Sequence, residues 1–201
     1  MAIRIKLETT ETELFCSSKW WGDPDLPADM EYPVAQAEED GETFNYPLTF
    51  ICQIDCEDIA PFDPEGKLPH QGMFYVFAGL DEYLGFDSPW HNGIGQWDRK
   101  QVVVKYTKAI NFETFRAAQL VDDEDQPLTQ PALKMRFEAC PDEEHCTRLL
   151  GQCSEDGYVN FLQLASGTGG LAFPGTSVLN LLYKAADMEA GKWKIIKGYL
   201  A

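Results

Sequence analysis

The sequence predicts a mainly β protein: a roll-like antiparallel β domain of two related β units with a few short helices. Three observations carry that expectation. Apolar runs of five to eight residues, rich in aromatic and β-branched side chains, recur along the chain. They are separated by acidic loops rich in Gly and Pro, notably 22–47, 61–71 and 84–99. No sustained alternation of strand and helix appears, as a parallel sheet would require. With 201 residues, 44% of them hydrophobic, the chain is long enough to bury one substantial core, so residues 1–201 read as a single domain.

The elements follow in order. "IRIKL" (3–7) is a first strand. "SKWWGDPDLP" (18–27) runs two tryptophans into a stiff segment. Pro24 and Pro27 restrict the backbone, Gly22 permits a positive φ, and Trp20 and Trp21 are large enough to plug a core. We read it as a packed corner, with a partner-facing aromatic edge as the alternative. "LTFICQID" (48–55) alternates Leu48, Phe50, Cys52 and Ile54 against Thr49, Ile51, Gln53 and Asp55. "GMFYVFA" (72–78) and "QVVVKY" (101–106) are too apolar for a strand with one wet face. "LKMRFE" (133–138) turns Leu133, Met135 and Phe137 inward, and "YVNFLQL" (158–164) and "SVLNLLY" (177–183) complete the set.

Helix signals are short. In 140–151 Pro141 suits a first turn, Asp142, Glu143 and Glu144 complement the dipole, and Gly151 suits the stop. Further short helices are expected around 111–120 and 185–191. The tract "VDDEDQPLTQP" (121–131) reads as the one plausible linker. There is also an internal echo, with Gln53 and Gln163 each set in an apolar strand that leads through a Gly/Pro loop to another. Two β units, about 45–80 and 155–185, would explain it.

Charge narrows the function. Asp and Glu number 33 against 16 Lys and Arg, a formal net charge of −17. Phosphate backbones and anionic membrane surfaces need the opposite balance, so neither nucleic acid nor a membrane is an expected partner. A basic protein is. The start of the chain, "MAIRIKLETTETEL", has no apolar signal core, which fits a cytoplasmic location. The six cysteines are expected as thiols. Cys140, His145, Cys146 and Cys153 cluster loosely, without paired CxxC spacing, so no metal site is expected.

Read together, SKWWGDPDLP, Tyr32-Pro33, "PLTFICQID", "LPHQGMFYVF" and a late "LLGQ…FLQL…G" resemble the YwqG-like family, a bacterial domain of unknown function (DUF1963). The family pattern is similar to S-K-x-G-G-x-P-x-L-P, then W-P, P-L-x-F-L-x-Q-I, P-x-x-G-x-L-x-F-F and a closing L-L-G…L-L-Q-L. Here Trp21 stands at the first Gly of the pair and Tyr32 at the Trp. "FPGTSVL" replaces an acidic Gly-Asp-x-Gly loop. The resemblance implies a mainly β roll-like fold and no established activity.

No nucleophile elbow, HExxH or phosphate loop is present, so no catalytic residue is assigned and no cofactor is expected. "SGTGG" (166–170) reads as a flexible hairpin loop. Gln53 and Gln163 either pin loop backbone across the strand or line one groove between the two units. Trp90, His91 and Trp97, in the Gly-rich "SPWHNGIGQW", are the candidate partner-binding residues, since tryptophan is enriched at interface hot spots. The leading expectation is a non-enzymatic acidic interaction module that neutralises a basic protein. The alternative is a small-molecule binder, or an enzyme, using the groove between the units.

Overall fold

The computed structural model describes the chain except residues 109–111, 122–123, 127, 154 and 194–195. Its strands are β1 (Ala2–Glu8), β2 (Lys19–Trp20), β3 (Asp25–Pro27), β4 (Val34–Glu39), β5 (Glu42–Pro47) and β6 (Thr49–Asp55). After helix α1 (Cys56–Ile59) come β7 (Met73–Ala78), β8 (Gly95–Gln96), β9 (Val102–Thr107) and β10 (Phe115–Ala117). The remainder is β11 (Leu133–Cys140), β12 (Arg148–Leu149), β13 (Tyr158–Ala165), β14 (Val178–Lys184), helix α2 (Ala185–Glu189) and β15 (Lys197–Leu200). The protein is therefore mainly β, with one antiparallel sheet curled into a half-barrel.

The main sheet runs β8-β15-β14-β13-β12-β1-β11-β2-β6-β7-β9. Its centre is the antiparallel pair β1 and β11, in register from Ala2↔Cys140 to Glu8↔Lys134. On one side lie β2, β6, β7 and β9; on the other lie β12, β13, β14 and β15. The two wings follow the same sequence of steps. Strands β6 and β7 pair with a register shift between Phe50 and Cys52, and β13 and β14 with one between Asn160 and Leu162. Gln53 faces Lys19 across the sheet, and Gln163 faces Arg148.

The turns after β2 and β12 also match. Trp21 and Leu150 take φ of 58° and 59°, followed by Gly22 at 72° and Gly151 at 96°. Trp21 N–H donates to Ile51 O at 2.8 Å, and Leu150 N–H to Phe161 O at 3.1 Å. Ser18 Oγ accepts from Asp55 N at 2.9 Å, and Thr147 Oγ1 from Ala165 N at 3.0 Å. These correspondences reach well beyond 45–80 and 155–185, from β1 and β11 onward.

The bulges change the expected faces. Because the strand shifts at Ile51, strict alternation fails, and Ile51, Cys52 and Ile54 all enter the main core beside Phe74 and Val76. Leu48 and Phe50 belong to a second core on the outer face of the first wing, with Tyr75, Phe77, Leu26 and Trp90. The main core also holds Phe161, Leu162, Leu164, Leu179, Leu181 and Tyr183 from the other wing. It lines one face of the curled sheet.

Three local expectations are corrected. Residues 140–151 form no helix: Cys140 ends β11, turns follow, and Arg148 and Leu149 pair with both β1 and β13. The ladder satisfies more backbone than an isolated helical turn would. Within 111–120, Asn111 lies outside the described residues; beyond it a single 3-10 turn, Phe112–Thr114, gives way to β10, which pairs with β3. The acidic loop 22–47 contains β3, β4 and β5. The expected linker 121–131 joins the two wings, with 122–123 and 127 outside the described residues. No described helix is long and apolar enough to cross a membrane.

Candidate functional site

Trp20 and Trp21 settle as a packed corner. Trp20 is fully buried, and Trp21 Nε1 donates to Gly169 O at 2.8 Å. The loop that closes over them is SGTGG, which is a built turn rather than a free hairpin end. Its Gly169, at φ +58°, lies so close that a Cβ there would stand 2.2 Å from Trp20 Nε1.

The expected Trp90–Trp97 surface is not there. Trp90 packs on Gly79 and against Tyr46, and Trp97 stacks on Tyr83 with a centroid separation of 5.8 Å. Both are buried within the chain, with no exposed ring face for a partner to meet. Such a loop's Gly content tells nothing of which way its tryptophans turn. His91 stands exposed, with its ring 3.4 Å from Glu82.

Nor do the two glutamines share a groove; each serves its own wing. In the first, Gln53 is fully buried under β3. Its Oε1 accepts from Asp25 N at 2.9 Å, while Nε2 donates to Asp25 Oδ2 at 2.7 Å and to Ser17 O at 3.0 Å. Lys19 Nζ lies 2.8 Å from the same Oδ2, which also accepts from Cys16 N at 2.8 Å. Tyr75 Oη donates to Asp25 O at 2.7 Å. Lys19 and Asp25 are thus a buried ion pair whose carboxylate accepts from three donors at Oδ2, the kind of support that makes such a pair tolerable.

In the second wing the frame is retained and the acid is missing. Gln163 Nε2 donates to Cys146 O at 2.8 Å, the counterpart of the Ser17 bond, and its Oε1 accepts from Arg148 Nη2 at 3.1 Å. Arg148 is 3% exposed. It donates through Nε to Glu144 O at 2.9 Å and through Nη1 to Leu150 O, and it forms no ion pair with a carboxylate among the described residues. Three of its five N–H groups are thus engaged within the chain. Where the first wing carries Phe50, Tyr75 and Phe77, the register places Asn160, Asn180 and Leu182. Asn160 Nδ2 donates to Asn180 Oδ1 at 3.1 Å; its own Oδ1 is buried without a hydrogen-bond partner.

These residues line a pocket of about 530 Å³ with Tyr199, Glu155, Glu143 and Cys153 at its sides. Glu155 is neutralised by Lys197, whose Nζ reaches both carboxylate oxygens at 2.6 Å. Beside it, the cysteine cluster forms only in part. Cys140 and Cys146 come together with Glu144, their ligand atoms within 4.8 Å of one another, and His145 and Cys153 are not in the group. Arg4 occupies that corner: it pairs with Glu144 and donates to Glu138 at 2.8 Å, so a fixed cation already stands beside these groups.

Arg148, Asn160 and Asn180 were not among the residues singled out from sequence. One signal points to Arg148: Lys19-Trp20-Trp21-Gly22 and Arg148-Leu149-Leu150-Gly151 share a cation, two apolar residues and a glycine. A family model described as a domain of unknown function (DUF1963) matches residues 18–158. No curated protein matches the chain.

Proposed function

The chain belongs to the DUF1963 family, whose description assigns no activity, and we propose that it is a binding protein whose site is the polar pocket of the second wing. One observation carries this reading. A buried guanidinium without a carboxylate partner stands beside three amides at the floor of an open pocket, one of them with an unsatisfied oxygen. Leaving the Asn160 amide oxygen unmet costs about 1–3 kcal/mol, and a polar ligand would recover part of that. The lining supplies hydrogen bonds and charge, which suits binding of a polar ligand.

The test is a thermal-shift and NMR screen of small polar metabolites against the whole chain. A ligand at about a hundred times its Kd should add about 2.7 kcal/mol of stability. Its resonances should map to Asn180 and Tyr199, and Asn180→Ala should weaken it. A screen in which nothing perturbs these residues rejects the reading.

A second reading, the basic protein partner, has one observation in its favour. Phe86 and Leu128 are exposed and share an apolar groove with Tyr32, Tyr46 and the carboxylates Asp81 and Asp87. They replace Trp90 and Trp97 as the anchors such a partner would use. Its association rate should fall as salt rises, and Phe86→Ala should speed dissociation.

A further inference from the structure

We infer that the ligand of the second-wing pocket carries an aspartyl group, a carboxylate held close to an N–H donor, and that Asp25 is the chain's own copy of it. The inference rests on the pocket reading above and names the ligand's class. In the first wing, the place bounded by Lys19, Gln53 and Tyr75 is filled by Asp25: carboxylate to Lys19 and Gln53, backbone N–H to Gln53, carbonyl to Tyr75. The register sets Arg148, Gln163 and Asn180 in those three positions of the second wing. Glu144 O accepts from Arg148 Nε and, at 3.4 Å, from Gln163 Nε2, so a ligand's carboxylate would meet the two N–H groups of Arg148 not engaged within the chain. There the chain passes from β12 to β13 through residues 150–157 alone, whereas residues 21–48, which include Asp25, separate β2 from β6.

Substitution of arginine for lysine sharpens the preference. Lys19 presents a point charge, whereas Arg148 presents a planar fork whose free N–H groups suit a carboxylate. The pocket's other demand is for a donor. Asn160 Oδ1 lacks a partner, and Glu143 is exposed at the side, so the end of the ligand away from Arg148 carries N–H groups. Glu155 repels the carboxylate little because Lys197 holds it. Free aspartate and an aspartyl residue of a peptide present the same group.

The experiment titrates the whole chain with three probes: free aspartate, the capped peptide acetyl-Asp-Leu-Pro-amide, and its Asn counterpart. The Asp peptide or aspartate should bind with shifts at Asn180 and Tyr199, and the Asn peptide at least about tenfold more weakly, since a charge-assisted hydrogen bond is lost. Equal affinity for free aspartate and the Asp peptide identifies the amino acid as sufficient; binding by the peptide alone identifies a segment. Arg148→Met should abolish binding and Arg148→Lys should restore part of it. The probe comparison uses the unaltered chain, so it decides even if the Arg148 variants fail to fold. Asn and Asp peptides binding equally well, or neither acid probe binding while neutral metabolites occupy the pocket, overturns the aspartyl assignment and leaves the pocket reading intact. If no small polar molecule perturbs the pocket, both fall.

Discussion

The two wings of the sheet share a frame and differ in what covers it. Both carry a cation opposite a glutamine, a bulge at the same step and a positive-φ corner. On the first, β3, β4 and β5 lie over the outer face, and that face is apolar: Phe50, Tyr75 and Phe77 join a buried cluster. On the second only residues 150–157 join β12 to β13, with no strand among the described ones, and the equivalent positions are Asn160, Asn180 and Leu182. Side-chain chemistry has followed cover. A face roofed by the chain favours apolar residues and a closed ion pair, and a face left open holds amides that water or a ligand can satisfy.

The largest expected effect breaks the closed wing. Asp25→Ala strips Lys19, Gln53 and the Cys16 amide of their partner in a buried setting. It should cost about 3–5 kcal/mol in denaturant unfolding. Replacing Lys19 and Asp25 together by apolar residues should return much of that. A loss under about 1 kcal/mol for the single variant would show that the first wing is no more closed than the second.

Next comes the pair set equivalent by register. Phe50→Ala leaves a cavity in the outer cluster and should cost about 3–5 kcal/mol. Asn160→Ala removes an amide whose oxygen already lacks a partner, and should cost no more than about 1 kcal/mol. Equal losses, read from urea midpoints at constant slope, would erase the distinction between roofed and open faces.

The smallest effect is chemical. Burial, reinforced by the Asp25 charge, pushes the Cys16 thiol up to about 12, and burial pushes Cys56 up to about 12. The thiolate is the reactive form, so at pH 8 both should resist alkylation while the chain is folded. Cys146 and Cys153, the two half-buried thiols, should react first. Mass spectrometry after partial labelling with iodoacetamide checks the order, and rapid modification of Cys16 would mean that the roof opens.

Much of the frame was legible in the sequence, because strands announce themselves by apolar runs whose length suits a sheet. All seven strands expected from such runs are present, the bounds of "LTFICQID", "GMFYVFA" and "SVLNLLY" lying within a residue of those observed. Where neighbours decide, the signal failed. Residues 140–151 carry helix-like end signals, yet Arg148 and Leu149 are bound on both sides by β1 and β13. The bulge at Ile51 adds one residue and defeats alternation beyond it. Trp90 is buried because Gly79, eleven positions earlier, has no side chain to exclude it. Gln53 and Gln163 were visible as odd polar residues, but Asp25, Arg148 and Asn160 gain their meaning only when the two wings are laid side by side.

The central pair has a consequence for how the chain is made. Strand β1 hydrogen-bonds to β12, which belongs to the far wing, and β11 hydrogen-bonds to β2, which belongs to the near one. Each wing has lent its first strand to the other, like two hands clasped by exchanged thumbs. Neither can complete its sheet until more than a hundred residues have left the ribosome, so the earliest strand waits longest for its mate. Such long-range closure slows folding and keeps an open strand edge on view meanwhile. The same clasp, made between two molecules in place of one, would join newly made copies into an exchanged dimer, with every contact native and only the ownership of the strands altered.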